Sequence, residues 1–451
     1  MLDRESVQLL RDALEKLDEG FASLPENSER PPGSKRMAEV LSAAAEKLRN
    51  NFPYFHPLYA GQMLKPPHPV ARIAYALAQW INPNNHALDG GRASSAMEKE
   101  AVGELARMFG WVGHLGHLTS GGTMANLEAL WVAGQLAPKK TIVASEQAHY
   151  THKRISGVLQ LPFEAMPCDE RGRLGLGPLE SRLAKGDVGA VVATVGTTAT
   201  GSVDPLKEIL RLCKEHHVHV HVDAAYGGYF ALAGNLSGET RAAFDCLGES
   251  DSIVIDPHKH GLQPYGCGCV IFRDPAVGRL YKHESPYTYF SSKELHLGEI
   301  SLECSRAGAS AVALWSTQKL LPLVRNGEFA KGLESCREAA LDLYRRLRGD
   351  KRFITAFPPE LDIVVFAPRA ATVTEASVLA REIFDAAARR DLHLAMAELP
   401  SEIFAPDMVG IKKDRPILTC LRSVLMKPEH REWVERIWGI LDEATREALT
   451  G

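Results

Sequence analysis

Between about residues 71 and 272, short apolar runs alternate with amphipathic stretches of helical period. The apolar runs are rich in valine, isoleucine and alanine, which predicts strands that are buried on both faces of a sheet. This alternation predicts an α/β lobe with a mostly parallel sheet covered by helices. The predicted strands are 141–146, 189–196, 219–225, 252–256 and 267–273, and the predicted helices include 123–136, 151–159 and 205–216.

The rest of the chain predicts two smaller parts on either side of this lobe. Residues 1–70 hold an amphipathic helix and then a proline-rich stretch, which predicts an extended arm lying across another surface. Residues 71–325 form the large domain, and residues 326–451 predict a small C-terminal α+β domain. The elements predicted in the small domain are a hairpin at 354–368, a helix at 375–390, a strand at 416–426 and a final helix at 430–449.

Composition and charge exclude several classes of function. The 451 residues are 45% hydrophobic and 24% charged, with a formal net charge of -4, as in ordinary globular proteins. Because no block of basic residues occurs, neither nucleic acid nor a membrane surface is expected as a partner. No apolar run approaches the ~20 residues of a membrane span. The N-terminal helix is too charged for a signal peptide, so a cytoplasmic protein is expected.

The eight cysteines predict neither a disulfide scaffold nor a metal site. A chain of this length does not need disulfides to fold. Cys267 and Cys269 have the spacing that places both side chains on one face of a strand. No C-x2-C or histidine pattern accompanies them. Buried, reduced thiols are therefore expected.

Two charged residues near the carboxyl ends of predicted strands indicate cofactor chemistry. Lys259 comes after the strand at 252–256, where open α/β sheets place ligands, and a lysine with a lowered pKa can form an imine. Asp223 is costly to bury without a positive partner, which a pyridinium nitrogen supplies, and Ala225 leaves room for a flat ring. Taken alone, each charged residue has an ordinary explanation, as a solvated loop lysine or a helix-capping aspartate.

Three further segments place polar residues at predicted strand ends. The first is the turn formed by Ser120, Gly121, Gly122 and Thr123. Its amides and the helix that follows form a phosphate site that matches neither a dinucleotide nor a Walker loop. His149 can stack on an aromatic cofactor, and Thr197 offers a hydroxyl, although a loop histidine and an ST-turn explain them singly. Because all five signals fall at strand exits of one lobe, they predict a single crevice.

These residues resemble the group II pyridoxal phosphate-dependent amino acid decarboxylases of the fold type I superfamily. The resemblance runs from about residue 56 to 315 and is carried by TSGGTMANL, HVDAAYGG and DPHKHG. It implies pyridoxal phosphate as cofactor and a sheet of the seven-stranded type. It also implies that Lys259 forms the Schiff base, Asp223 pairs with the pyridine nitrogen, Ala225 packs under the ring and His149 stacks on it. The remaining implied contacts are phosphate binding by Ser120, Gly121, Gly122 and Thr123, with His258 nearby, and Thr197 near the 3′ oxygen.

Other segments resemble the substrate side of the same family. HPLYAGQM, residues 56–63, resembles a pocket-lining segment, which implies substrate contacts from His56 and Tyr59. ESPYTYF and LECSRAGASAVALW imply a catalytic loop with Tyr287 or Tyr289 as proton donor. The second of these segments implies that Arg306 binds a substrate carboxylate. The resemblance further implies a homodimer with the active site at the interface, where both tyrosines alternatively serve as packing residues.

The expected reaction is decarboxylation of an L-amino acid to an amine and CO2. A carbon–carbon lyase and an aldehyde synthase are alternatives that use the same site. A catalytically idle binding or regulatory subunit is an alternative of a different class, against which the joint presence of Lys259, Asp223 and His149 argues. The aromatic residues near the expected pocket favour a planar amino acid over glutamate as substrate.

Overall fold

The computed structural model describes residues 4–25, 34–282 and 296–450. Within these ranges, thirteen α-helices pack on or beside two sheets. The helices are α1 (Arg4–Glu19), α2 (Ser34–Leu48), α3 (Pro69–Gln79), α4 (Leu88–Met108), α5 (Gly122–Leu136), α6 (Thr151–Val158), α7 (Leu176–Leu183), α8 (Leu206–Glu215), α9 (Gly238–Asp245), α10 (Gly308–Leu320), α11 (Glu328–Gly349), α12 (Val373–Ala388) and α13 (His430–Thr450). The strands are β1 (Leu115–Thr119), β2 (Thr141–Ser145), β3 (Phe163–Met166), β4 (Val188–Thr194), β5 (His219–Asp223), β6 (Ser252–Ile255), β7 (Gly268–Phe272), β8 (Phe353–Thr355), β9 (Ile363–Pro368), β10 (Ala395–Pro400) and β11 (Ile417–Val424).

The larger sheet has seven strands in the order β1-β7-β6-β5-β4-β2-β3. Strand β7 runs antiparallel to both of its neighbours, and the other pairs are parallel. Every residue of β4, β6 and β7 is buried, as expected for strands that helices cover on both faces. The predicted fold, a mostly parallel sheet covered by helices, is confirmed. The five strands predicted from the pattern each lie within two residues of the observed bounds.

The smaller sheet has four antiparallel strands in the order β10-β11-β9-β8. Strands β8 and β9 form the predicted hairpin, in which Phe353 pairs with Pro368. Helices α11, α12 and α13 bury apolar faces against this sheet, and Val434, Ile437 and Leu441 of α13 recur at helical spacing. The small α+β part is therefore confirmed, while the domain limits at residues 70 and 325 stay a prediction.

The proline-rich arm is attached to the smaller sheet by main-chain hydrogen bonds. The amide of Ala60 donates to the carbonyl of His393 at 2.9 Å, and the amide of Val424 donates to the carbonyl of Ala60 at 2.7 Å. The arm thus lies extended across another surface, as its prolines predict.

The elements that the pattern did not predict include α2, α3, α4, α11, β3 and β10. The sequence of α4 does not show one regular helical pattern, because Gly91, with φ -161° and ψ 57°, breaks the helical geometry near the start of the helix. Strand β10 lies at a sheet edge, and most of its residues are at least partly exposed. Among the described residues, no helix is both long and apolar enough to cross a membrane. The cytoplasmic location stays a prediction.

Strand β7 passes unusually close to the turn that follows β1. A Cβ atom added to Gly268 would lie 2.5 Å from the carbonyl carbon of Gly121 and 2.6 Å from Oγ1 of Thr119. These distances are shorter than van der Waals contact, so only glycine fits without a shift of the turn.

We expect Gly268→Ala to lower the free energy of unfolding by about 1–3 kcal/mol, because an added methyl group overpacks the interior. Gly439→Ala is the control, since a Cβ there meets nothing within 4 Å and alanine favours a helix by about 1 kcal/mol. Urea unfolding of both variants beside the wild type measures the difference. An unchanged unfolding midpoint for Gly268→Ala would contradict the close packing of β7 against the turn.

Candidate active site

The carboxyl ends of β1, β4, β5 and β6 border one cavity of about 370 Å³. Strand exits near the middle of an open α/β sheet are where such folds bind ligands. Nine of the ten residues predicted to bind a cofactor line this cavity, and Thr197 is the exception. The nine are Ser120, Gly121, Gly122, Thr123, His149, Asp223, Ala225, His258 and Lys259.

The turn after β1 brings main-chain donors to the cavity. Gly121 has a φ of +154°, which glycine adopts readily, and α5 begins at the next residue. A Cβ on Gly122 would lie 2.6 Å from the carboxylate of Asp256, so glycine keeps this space open. The amide of Ser120 donates to Oε2 of Glu303 at 3.0 Å, which shows that the turn already accommodates an anionic group.

Asp223 ends β5 and is almost fully buried. Its Oδ2 accepts a hydrogen bond from Nε2 of His152 at 2.9 Å, and its Oδ1 accepts one from the amide of Ala225 at 3.1 Å. Burial by itself would raise the pKa of Asp223, but the His152 hydrogen bond and charge, with the Lys259 charge, outweigh it and hold the pKa below its usual range. Asp223 is therefore a buried carboxylate that stays ionised.

His152 was not predicted as a site residue. It lies on α6, and its side chain is fully buried. The sequence carries one signal for it, because it follows His149 by three residues, which is one helical turn.

Lys259 follows β6 and meets a carboxylate that also lines the cavity. Its Nζ lies 3.0 Å from Oδ2 of Asp256, and about a fifth of its side chain is exposed. The Nδ1 of His258 donates to the carbonyl of Cys267 at 2.8 Å, which leaves Nε2 facing Asp256 at 3.5 Å. Burial lowers the pKa of His258. Asp256 opens the DPHKHG segment, and the sequence pattern does not predict a role for it.

His149 lines the cavity with its imidazole in a defined tautomer. The Nδ1 atom accepts a hydrogen bond from the amide of Thr151 at 3.2 Å, so the proton of the neutral ring lies on Nε2. Burial lowers the pKa of His149, and the charges of Lys259 and His152 lower it further, although Asp223 opposes them. An uncharged imidazole is therefore available to lie against a flat ring.

Thr197 lies beside the cavity but is not among its lining residues. Its hydroxyl is 2.7 Å from the hydroxyl of Thr200, and it also accepts a hydrogen bond from the amide of Ser202. The next residue, Thr198, lines the cavity instead. The strand end was predictable, whereas the direction of the two threonine side chains was not.

The three predicted substrate residues also lie outside this lining. His56 packs edge-on against Trp433 with 4.9 Å between ring centroids, and Tyr59 is buried in the arm. Arg306 donates to Glu98 at 2.7 Å and to the carbonyl of Leu118 at 2.6 Å. It lines a neighbouring cavity of about 250 Å³ that shares Ser120 with the first. Tyr287 and Tyr289 lie outside the described residues.

Arg422 was not predicted as a site residue, although it is a charged residue inside an apolar strand, β11. Its side chain is almost fully buried. Its Nη1 donates to the carbonyl of Gly61 at 3.3 Å and to Oε1 of Gln62 at 3.2 Å. In the part of the chain that the structure describes, Nε and Nη2 have no hydrogen-bond partner. The guanidinium interacts electrostatically with Tyr226, which lines the main cavity, and with the buried carboxylate of Asp362, while Arg422 itself lies outside that lining.

The main cavity fits pyridoxal phosphate. Two buried polar atoms of its lining residues, Thr194 Oγ1 and Asp256 Oδ1, have no hydrogen-bond partner among the described residues. The turn after β1 suits a phosphate, Asp223 suits a pyridinium nitrogen, and Lys259 suits an aldehyde. No group of three or more potential metal ligands occurs in the described ranges.

Comparison with known proteins agrees with this chemistry. Residues 123–369, more than half of the chain, match the family model described as "Pyridoxal-dependent decarboxylase conserved domain". The chain is 30% identical over 315 residues to a probable L-tyrosine/L-aspartate decarboxylase of Methanothermobacter thermautotrophicus, covering 68% of this chain and 82% of that protein. It is also 30% identical over 334 residues to a probable L-aspartate decarboxylase of Archaeoglobus fulgidus, covering 73% of this chain and 84% of that protein.

A solved structure shares the fold. The chain resembles the crystal structure of Oryza sativa TDC with PLP and tryptamine with a TM-score of 0.78 at 19% identity, covering 98% of this chain and 96% of that one. The family match and the residues that line the cavity indicate the same cofactor chemistry. The chain belongs to the pyridoxal-dependent decarboxylase family, and pyridoxal phosphate is its cofactor.

Proposed function

We propose that this enzyme removes the carboxyl group of an L-amino acid as CO2 and releases the amine, with Lys259 holding the cofactor. The observation that carries the proposal is that Lys259 and an ionised, buried Asp223 line one cavity. The family match supports decarboxylation as the reaction.

The residues of the cavity divide the task of holding the cofactor. When bound, pyridoxal phosphate supplies a protonated ring that accepts the electrons of the bond broken at the substrate α-carbon. The amides of the turn at 120–123 would hold the phosphate. Asp223 would keep a proton on the ring nitrogen, because its negative charge favours the protonated form. His149 would lie against the ring, and Ala225 would leave space on the other face.

Lys259, held by Asp256, would transfer a proton to the α-carbon of the substrate. Oδ2 of Asp256 lies 3.0 Å from Nζ of Lys259 and can hold that group in a fixed position at the edge of the cavity. An ammonium group there would deliver a proton to the substrate carbon as a general acid. Tyr287 and Tyr289 stay predictions for the same role.

Arg422 would bind a substrate carboxylate, and we infer that this is the one that remains in the product. A carboxylate that leaves as CO2 loses its charge, so an arginine holding it would stabilise the starting state more than the transition state. A side-chain carboxylate keeps its charge throughout. The names of the relatives, which include tyrosine/aspartate and aspartate decarboxylases, support an acidic amino acid such as aspartate, in place of the planar substrate expected from the aromatic residues of the sequence. Arg306, already paired with Glu98, stays a prediction for this contact.

A homodimer with the active site at its interface is part of the proposal. Helices α1 and α2 have no buried residue in the single chain. Val40, Leu41 and Leu48 of α2 are each more than 60% exposed. Apolar faces of this kind are usually covered by a partner, and a second copy of this chain is the occupant that the family resemblance implies.

The products of turnover test the proposed reaction. We expect the loaded enzyme to form one equivalent of CO2 per amine from at least one member of a panel of the twenty amino acids. Lys259→Ala should lose at least about a thousandfold in rate, because the residue that binds the cofactor is also the proton carrier. Mass spectrometry of the amine, with CO2 and peroxide assays, measures this.

Other products would identify the alternatives. An aldehyde with peroxide would indicate an aldehyde synthase, and an aldehyde without CO2 would indicate a carbon–carbon lyase. A protein that binds the cofactor but turns over no panel member would be a binding or regulatory subunit. Each of these outcomes would contradict the proposal.

His152 is proposed as a positioning residue that keeps Asp223 ionised. The pKa of Asp223 is lowered, so its favourable charge is present at neutral pH and is lost as the pH falls through the folded-state pKa. The His152→Phe change removes the hydrogen bond that opposes the effect of burial, so the pKa of Asp223 should rise. Release of the cofactor on acidification should therefore begin at a higher pH. In His152→Gln a donor remains, and the release profile should stay nearer to that of the wild type.

Cofactor absorbance across an acid titration measures that release, and kcat at neutral pH should fall at least about tenfold in His152→Phe. A structural defect alone would lower activity without moving the pH of release. Identical release profiles for His152→Phe and the wild type would contradict the role given to His152.

Arg422→Gln tests the substrate assignment. With aspartate, kcat/KM should fall at least about tenfold, since a hydrogen bond to a charged group contributes about 1.5–3 kcal/mol. With tyrosine the change should stay below about threefold. Arg381→Gln, at an exposed arginine of α12, is the control and should leave both values unchanged. Equal losses for the two substrates would show that Arg422 binds the carboxylate that both share.

A further inference from the structure

A second cavity has a volume of about 530 Å³, and one of its lining residues, His260, directly follows Lys259 in the chain. Its lining includes His260 and Leu262, the arm around Lys65, the first turns of α11 and the segment before α13. It shares no lining residue with the cofactor cavity. Its size is in the range of small-molecule sites.

Two lysines line this cavity, and the carboxylates that act on them, Glu429 on both and the buried Asp362 on Lys65, do so from beyond ion-pair distance. Lys427 is 3% exposed, and its ammonium group donates to the carbonyl of Tyr59 at 2.6 Å. Lys65 is partly buried and donates to the carbonyl of Met426 at 3.2 Å. No ion pair within 4.0 Å joins either lysine to a carboxylate of a described residue, so each ammonium group has spare donors. A lysine is rarely buried without such a partner.

The electrostatics of the pair favour an anion in the cavity. Burial, followed by the charge of Lys65, lowers the pKa of Lys427 to about 7. Burial also lowers the pKa of Lys65. The two carboxylates that line the cavity, Glu328 and Glu429, are both exposed. An anion placed between the lysines would supply the missing negative charge where burial makes it most effective.

The remaining lining selects the kind of anion. Phe329, Leu333 and Leu321 are buried apolar residues of this lining, and Leu262 adds a fourth apolar side chain. They suit an organic body rather than a bare inorganic ion. Glu328 and Glu429 would repel a second negative charge, which disfavours a phosphate dianion. We propose that this cavity binds a small organic monocarboxylate, with its carboxylate at Lys65 and Lys427 and its apolar body against Phe329 and Leu333.

Calorimetric titration of 3-phenylpropionate into the cofactor-loaded enzyme, at about pH 6.5 where Lys427 is mostly protonated, tests the site. We expect a Kd of about 1 mM or below, and no binding of the neutral 3-phenylpropionamide. Lys427→Met should weaken binding at least about tenfold, because the charge is lost. Lys319→Gln, at an exposed lysine of α10, is the matched control and should change nothing.

Gly332→Leu provides a second variant that leaves both lysines in place. Gly332 lines the cavity, and a Cβ there would meet only Pro428, at 3.4 Å, so the added side chain has room to enter the cavity. This variant should keep its cofactor absorbance and lose at least about tenfold in carboxylate affinity, since the volume for the apolar body is filled.

Arg422→Gln separates this cavity from the substrate site and should bind 3-phenylpropionate as the wild type does. Loss of binding in Arg422→Gln would place the ligand at the substrate site and overturn the proposal. No binding up to about 10 mM in the wild type, unchanged affinity in Lys427→Met and Gly332→Leu, or equal affinity for inorganic phosphate would overturn it as well.

Discussion

The contact between His152 and Asp223 is the interaction on which the active site depends. A carboxylate at the end of a buried central strand is strongly disfavoured in its charged form. The hydrogen bond from His152, the amide of Ala225 and the charge of Lys259 reverse that preference. Without them the cavity would present a neutral acid, which cannot keep a pyridine nitrogen protonated. In the proposed mechanism the electron-accepting property of the cofactor therefore rests on His152, which lies outside the cavity lining.

The sheet makes this contact possible by fixing several strand ends at one edge. Asp223 ends β5, Asp256 follows β6 next to it, and the turn after β1 lies across β7. Close packing of Gly268 and Gly122 against their neighbours holds that turn near Asp256. Side chains from distant segments thus meet without long loops to position them, which favours a preorganised site.

Much of this arrangement follows from the sequence. Valine- and isoleucine-rich runs marked the central strands, and polar or glycine residues at their ends marked the cavity. The sequence pattern did not indicate which of two adjacent threonines lines the cavity, because a strand end defines a position but not a side-chain direction.

His152 and Arg422 show a second limit of the sequence pattern. His152 acts on a residue 71 positions away, and Arg422 reaches the arm around Gln62 from the opposite end of the chain. Both pairings depend on how separate elements pack, which local periodicity does not encode. Arg306 shows the opposite case. The family resemblance assigns it to the substrate, but in the single chain its guanidinium already forms a buried ion pair with Glu98.

The most direct test of the central claim is to locate the covalent link between enzyme and cofactor. Borohydride reduction of the loaded enzyme fixes the link, and peptide mass mapping then identifies the modified lysine. The modification should lie on Lys259 in the wild type, in the cavity that Asp223 also lines. Modification of another lysine, such as Lys427, whose pKa burial lowers, would contradict the assignment of the cofactor to this cavity.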